Sequence, residues 1–135
     1  MPTDGKRPWL KHFARVNIGG KDKSMDASFL PKLLELKGEV WSGRKRNGFS
    51  ITTKGVMDAT SPFMKHVEYL VTALEPKRNV IRRIKKKGWD TAFSLTYYTT
   101  EDDVEFVLSS DAAKRIAGLG SGLDFNGYCG KDEND

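Results

Sequence analysis

Between His12 and Ile18 the chain alternates. Ala14, Val16 and Ile18 fall on one face and Phe13, Arg15 and Asn17 on the other, which predicts a first strand. Residues 19–23 are a polar turn. A short helix follows, with Ser24 or Asp26 as its N-cap, Pro31 in its first turn, Phe29, Leu30, Leu33 and Leu34 facing inward, and Gly38 as its stop. Residues 39–42 form a short strand, residues 43–48 a basic loop and residues 49–53 an alternating, β-rich strand. The clearest helix starts at Ser61-Pro62. Phe63, Val67, Leu70, Val71 and Leu74 make one apolar stripe, Lys65, His66, Glu68 and Thr72 fall outside it, and Pro76 ends it. A second helix covers about residues 79–87, with Val80, Ile81 and Ile84 inward and Gly88 as terminator.

The longest strand candidate runs from Trp89 to Thr99, with Trp89, Thr91, Phe93, Leu95 and Tyr97 on one face, so the adjacent Tyr98 must face the other way. Residues 101–103 read as an acidic hairpin turn, and Val104, Phe106 and Leu108 as its returning strand. Ser110 or Asp111 caps a helix through Ile116, Gly118 and Gly120 end it, and residues 123–128 form the last strand. The order β-α-β-β-α-α-β-β-α-β predicts an α+β single domain. It has an antiparallel or mixed sheet with its helices mainly on one face, of ferredoxin-like character. The domain is expected over residues 12–130, after a flexible leader at 1–11 and before an acidic tail at 131–135.

A stretch of this sequence resembles one bacterial family. The helix ending in Leu70 and Leu74-Glu75-Pro76, the short helix closing on Gly88, the aromatic strand after it, the run from Ala113 to Gly120 and the ending Leu123-Asp124-Phe125-Asn126-Gly127-Tyr128 are similar to a small-protein family known as a domain of unknown function, number 4279 in that series. The resemblance covers about residues 12–128. It implies a one-domain bacterial or phage-like protein and brings no catalytic residues with it.

Composition narrows the function classes. The 135 residues carry one cysteine, a net charge of +5 and no apolar run approaching the roughly 20 residues of a spanning helix. A lone Cys129 gives no intrachain disulfide and suits a reducing cytoplasm. His12 and His66 have no partner at fixed spacing, so neither reads as a catalytic base, and one Cys with two His cannot make the usual zinc cluster. The glycines at 118–122 follow a helix, whereas phosphate-cradling loops precede one. The expectation is a protein without enzymatic activity or cofactor.

Charge is uneven: residues 1–54 carry +7, residues 55–99 carry +4 and residues 100–135 carry −6. Seven cations fall in the eleven residues from Lys77 to Lys87, and Arg44-Lys45-Arg46 forms a second cluster. Arg44, Arg46, Arg82, Arg83 and Lys86 are therefore the candidate binding residues. The function expected is a protein-interaction module of the immunity-protein or inhibitor type, with a partner that presents an acidic surface. The alternative is nucleic-acid or phosphate binding through the basic clusters at 44–46 and 77–87.

Overall fold

The computed structural model describes residues 10–99 and 107–129. Its sheet holds five strands in the order β2-β3-β1-β4-β5, where β1 is Leu10–Gly19, β2 Glu39–Ser42, β3 Asn47–Thr52, β4 Asp90–Thr99 and β5 Gly122–Cys129. The helices are α1 (Leu30–Leu34), α2 (Phe63–Leu74), α3 (Arg78–Lys85) and α4 (Ser110–Gly118). β1 pairs antiparallel with both β3 and β4, and β2 pairs antiparallel with β3. The first four strands with α1 to α3 thus make the split β-α-β-β-α-β arrangement of the ferredoxin-like fold. α4 then crosses over and returns β5 parallel to β4.

The alternation expected of each strand sets which face the helices cover. Ala14, Val16 and Ile18 of β1, Phe49 and Ile51 of β3, and Phe93 and Leu95 of β4 are buried against Leu30 and Leu34 of α1, Val67, Leu70 and Leu74 of α2, Ile81 and Ile84 of α3, and Ile116 of α4. Among the described residues no helix covers the opposite face, and its side chains are mostly polar.

Several local readings change. α1 has only five residues and ends at Glu35, whose φ of 55° is left-handed, not at Gly38. So short a helix buries one i,i+4 pair, Leu30 and Leu34, and leaves Phe29 and Leu33 exposed. Gly38 serves another purpose: a Cβ there would stand 2.7 Å from the Phe49 ring. Pro76 does not stop the helical path. A 3₁₀ turn, Glu75–Lys77, joins α2 directly to α3, and proline lies where its missing N–H is least costly. α3 does end as expected, with Gly88 at φ +103° and Trp89 N–H donating to the Ile84 carbonyl at 3.2 Å. The cap of α4 is Ser109, whose hydroxyl accepts from the Ala112 N–H at 3.1 Å.

The hairpin strand expected after β4 is not found beside it. β1 pairs with β4 along its whole length and β5 takes the other edge from Ala92 onward, so that length of β4 is flanked on both sides. Val107 and Leu108 precede α4 outside any strand, and residues 100–106 lie outside the described residues. β1 starts at Leu10, two residues before the expected boundary.

Candidate functional site

The five candidate cations do not form one surface. Arg44 and Arg46 sit on the tight β2–β3 turn, closed by the Gly43 N–H donating to the Arg46 carbonyl at 2.8 Å. The Arg46 guanidinium lies on the open face of the sheet, where a Cβ at Gly19 would be 3.3 Å from its Cζ. Arg82, Arg83 and Lys86 belong to α3 and its end, on the helical side. Arg82 donates to the Gly118 carbonyl at 3.1 Å, and Lys85 to the Gly120 carbonyl at 2.9 Å. Arg82 therefore satisfies the last carbonyl of α4 and Lys85 one in the turn just beyond it, where positive charge is favoured. Lys77 pairs with Glu35 at 2.8 Å, a bond that holds the Glu35 carboxyl below its usual range. Arg83 and Lys86 remain exposed to solvent.

His66 also moves from its expected place. It is fully buried on α2, one turn before Leu70, with Nδ1 2.7 Å from Thr53 Oγ1 and Nε2 3.2 Å from the Asp58 carbonyl. A carbonyl can only accept, so Nε2 carries the proton and Nδ1 accepts from the Thr53 hydroxyl. Burial pushes its pKa below the ordinary 6.5, against the smaller opposing pull of Asp58. This imidazole is a neutral structural link between α2 and the end of β3. His12 is buried on the same side, its ring 6.2 Å from that of His66. The side chain of Cys129 lies outside the described residues.

The open face holds what the sequence reading passed over. Register places its side chains in rows. Glu39, Ser50 and Asn17 form one row, and Thr52, Arg15, Ser94 and Asp124 the next. Phe13, Thr96 and Asn126 form a third. Two adjoining concavities, of about 530 Å³ and 350 Å³, run along these rows and share Arg15, Asn17 and Thr52. Together they make a trough with Trp41 towards one end and Phe13 with Tyr98 towards the other. The Phe13 and Tyr98 rings meet edge to face at 6.2 Å, and Lys54 Nζ stands 5.5 Å from the Phe13 centroid.

Trp41 is held flat by its neighbours. Its ring covers Gly48, where a Cβ would fall 2.2 Å from Cζ2, so only glycine admits it. Its indole N–H donates to Ser50 Oγ at 2.8 Å, and the Ser50 hydroxyl in turn donates to Asn17 Oδ1. Arg15, at the centre of the trough on the central strand, is exposed and makes no hydrogen bond or ion pair with a described residue. Lys37 and Lys54 add positive charge to the lining; among the described residues Glu39 is the carboxylate that lines it, and Asp124 lies at the far end of the Arg15 row. The signal was present in the sequence. The positions opposite the apolar alternation read Phe13, Arg15 and Asn17 in β1, Ser50 and Thr52 in β3, Ser94 and Thr96 in β4, and Asp124 and Asn126 in β5.

This architecture bears on kinship. A family model described as "Domain of unknown function (DUF4279)" matches residues 30–130, about three-quarters of the chain. The chain belongs to the DUF4279 family. The resemblance found in the helix–glycine–strand ending thus holds, over a match that begins at α1 and leaves β1, with Arg15 and Asn17, outside it. No curated protein and no solved structure matches the chain. Among the described residues no helix is long and apolar enough to cross a membrane, and no group of three His, Cys, Asp or Glu side chains is placed to hold a metal ion.

Proposed function

We propose that this DUF4279 chain is a cytoplasmic, non-enzymatic protein-interaction module of bacterial or phage origin, of the immunity-protein or inhibitor type. It holds an acidic partner against the open face of its sheet. The observation that carries this reading is Arg15, a guanidinium with no partner among the described residues, at the centre of an aromatic-edged trough. Arginine, tryptophan and tyrosine are the residues on which protein interfaces most depend, and Arg15, Trp41 and Tyr98 share this face. Among the described residues that line the trough, Arg15, Lys37 and Lys54 outnumber the Glu39 carboxylate, which favours an acidic complementary surface. Binding through α3 has less support, because Lys77, Arg82 and Lys85 already serve Glu35 and the end of α4.

Site-specific photocrosslinking in the native host tests the proposal. A crosslinking residue in place of Thr96, inside the trough, is compared with one in place of Arg83, on the helical side. Capture of one protein through an acidic segment at position 96, and none at position 83, is the expected result. Capture at position 83 alone rejects the open face as the docking surface.

A further inference from the structure

We infer that Arg15 and Asn17 form a carboxylate clamp, and that Trp41 and Ser50 hold it in its working orientation. The inference rests on the open-face reading and names the chemistry that the face recognises. The argument is one of hydrogen-bond polarity. Indole nitrogen only donates, so Ser50 Oγ must accept from Trp41. The hydroxyl has a single proton, and it goes to Asn17 Oδ1. The Asn17 carbonyl is thereby satisfied, and its amide nitrogen is left with two N–H donors facing the trough. Two residues along the same strand face, about 7 Å away by strand geometry, Arg15 presents its five donors.

Among the described residues no neighbouring acceptor is bonded to these donors, the carboxylates of Glu39 and Asp124 on the same rows included. Thr52 Oγ1 already accepts from the Lys54 N–H at 3.1 Å and donates to the Ala14 carbonyl at 3.3 Å. Ser94 Oγ accepts from Asn126 at 2.9 Å. The clamp is therefore all donors. It fits a group that only accepts, is planar and offers two oxygens side by side, and a carboxylate has that form. The Trp41 ring, pinned over Gly48, gives an apolar side chain next to the carboxylate a flat surface to lie on. The carboxylate comes from an aspartate or glutamate side chain of the partner or from a chain terminus, and both sources share this chemistry.

The test is an NMR titration of the full chain with three short peptides. One is blocked at both ends and contains Glu-Trp, the second is its Gln-Trp counterpart, and the third is the Gln-Trp peptide with a free C-terminus. Sodium acetate and inorganic phosphate serve as simple anions. The clamp predicts that the Glu peptide moves the Arg15 side-chain and Trp41 indole resonances and binds at least about tenfold more tightly than the blocked Gln peptide. Tighter binding of the free-terminus peptide than the Glu peptide assigns the clamp to chain ends, and the reverse assigns it to acidic side chains. Arg15→Lys, which keeps the charge but loses the fork, should lose about fivefold or more. Asn17→Asp should abolish binding, and Arg83→Ala should change nothing. Equal affinity for the Glu and blocked Gln peptides, no Arg15 shift with any carboxylate, or a stronger response to phosphate than to acetate overturns the clamp. If a partner crosslinks to position 96 yet ignores Arg15→Lys and Asn17→Asp, the docking surface stands and the clamp falls.

Discussion

Replacing Thr53 by valine removes one hydroxyl and almost no volume, so its effect isolates hydrogen bonding. Thr53 is fully buried where β3 ends, on the core side, immediately before Lys54 reaches the trough. Its Oγ1 accepts from the Ala14 N–H at 2.9 Å and sits 2.7 Å from His66 Nδ1. Valine leaves both of those buried groups without a partner. Each orphaned group costs about 1–3 kcal/mol, so the variant should lose roughly 2–6 kcal/mol, a large part of the roughly 5–15 kcal/mol of a typical domain. Thr53→Ser keeps the hydroxyl and loses one methyl, which is worth about 1 kcal/mol. Urea denaturation followed by circular dichroism should therefore rank wild type, Thr53→Ser and Thr53→Val in that order, with most of the drop in the last step. Adding His66→Leu to Thr53→Val should recover part of the summed loss, since one of the two orphaned groups is then gone. A Thr53→Val cost below about 0.5 kcal/mol, against the 1–3 kcal/mol expected of each buried orphan, would refute the shared-hydroxyl account.

Acid should destabilise the fold early. The folded pKa of His66 lies below 6.5, so the unfolded chain takes up its proton first, and stability should fall as pH drops below about 6.5. Melts from pH 7.5 to 5.5 that show no decline, or an imidazole that titrates at its free value by NMR, would contradict this. Leu70→Ala should cost about 2–5 kcal/mol in a denaturant melt, because Leu70 is fully buried in the α2 stripe. Gly48→Ala should displace the Trp41 ring, changing tryptophan emission and weakening partner binding, because its Cβ would overlap the indole. Arg115→Ala should lower the melting temperature, since Arg115 pairs with Glu75 through two bonds, at 3.0 and 2.6 Å, and so ties α4 to the α2–α3 turn. The same pairing holds the Glu75 carboxyl below its usual range, so its contribution is present above about pH 4.5 and lost as pH falls further.

The strands, the buried stripe of α2 and the end of α3 at Gly88 were legible because period and glycine chemistry are local. The face opposite the core was legible too, as Phe13, Arg15 and Asn17 in the first strand. Its meaning was not, because the trough exists only once β3, β1 and β4 lie side by side. The same limit explains the basic helix. Seven cations between Lys77 and Lys87 read as a free patch, yet Arg82 and Lys85 reach carbonyls 36 and 35 residues away. His66 looked polar because its hydrogen-bond partners, Thr53 and the Asp58 carbonyl, lie 13 and 8 residues earlier in the chain. The parallel return of β5 displaced the expected hairpin for a similar reason: which strand takes the free edge of β4 depends on the packing of α4, not on the alternation of residues beside it.

The central claim is that the partner is held by the open face and not by the basic helix. Its most direct test is the affinity of the crosslinked partner for three proteins: wild type, Arg15→Glu, and the double variant Arg83→Glu with Lys86→Glu. All three substituted side chains are exposed, so the fold should survive each change. The account predicts that Arg15→Glu loses at least about tenfold while the double variant stays within about twofold of wild type at physiological salt, where distant surface charges are largely screened. A partner that tolerates Arg15→Glu and is lost from the Arg83→Glu, Lys86→Glu protein would contradict it.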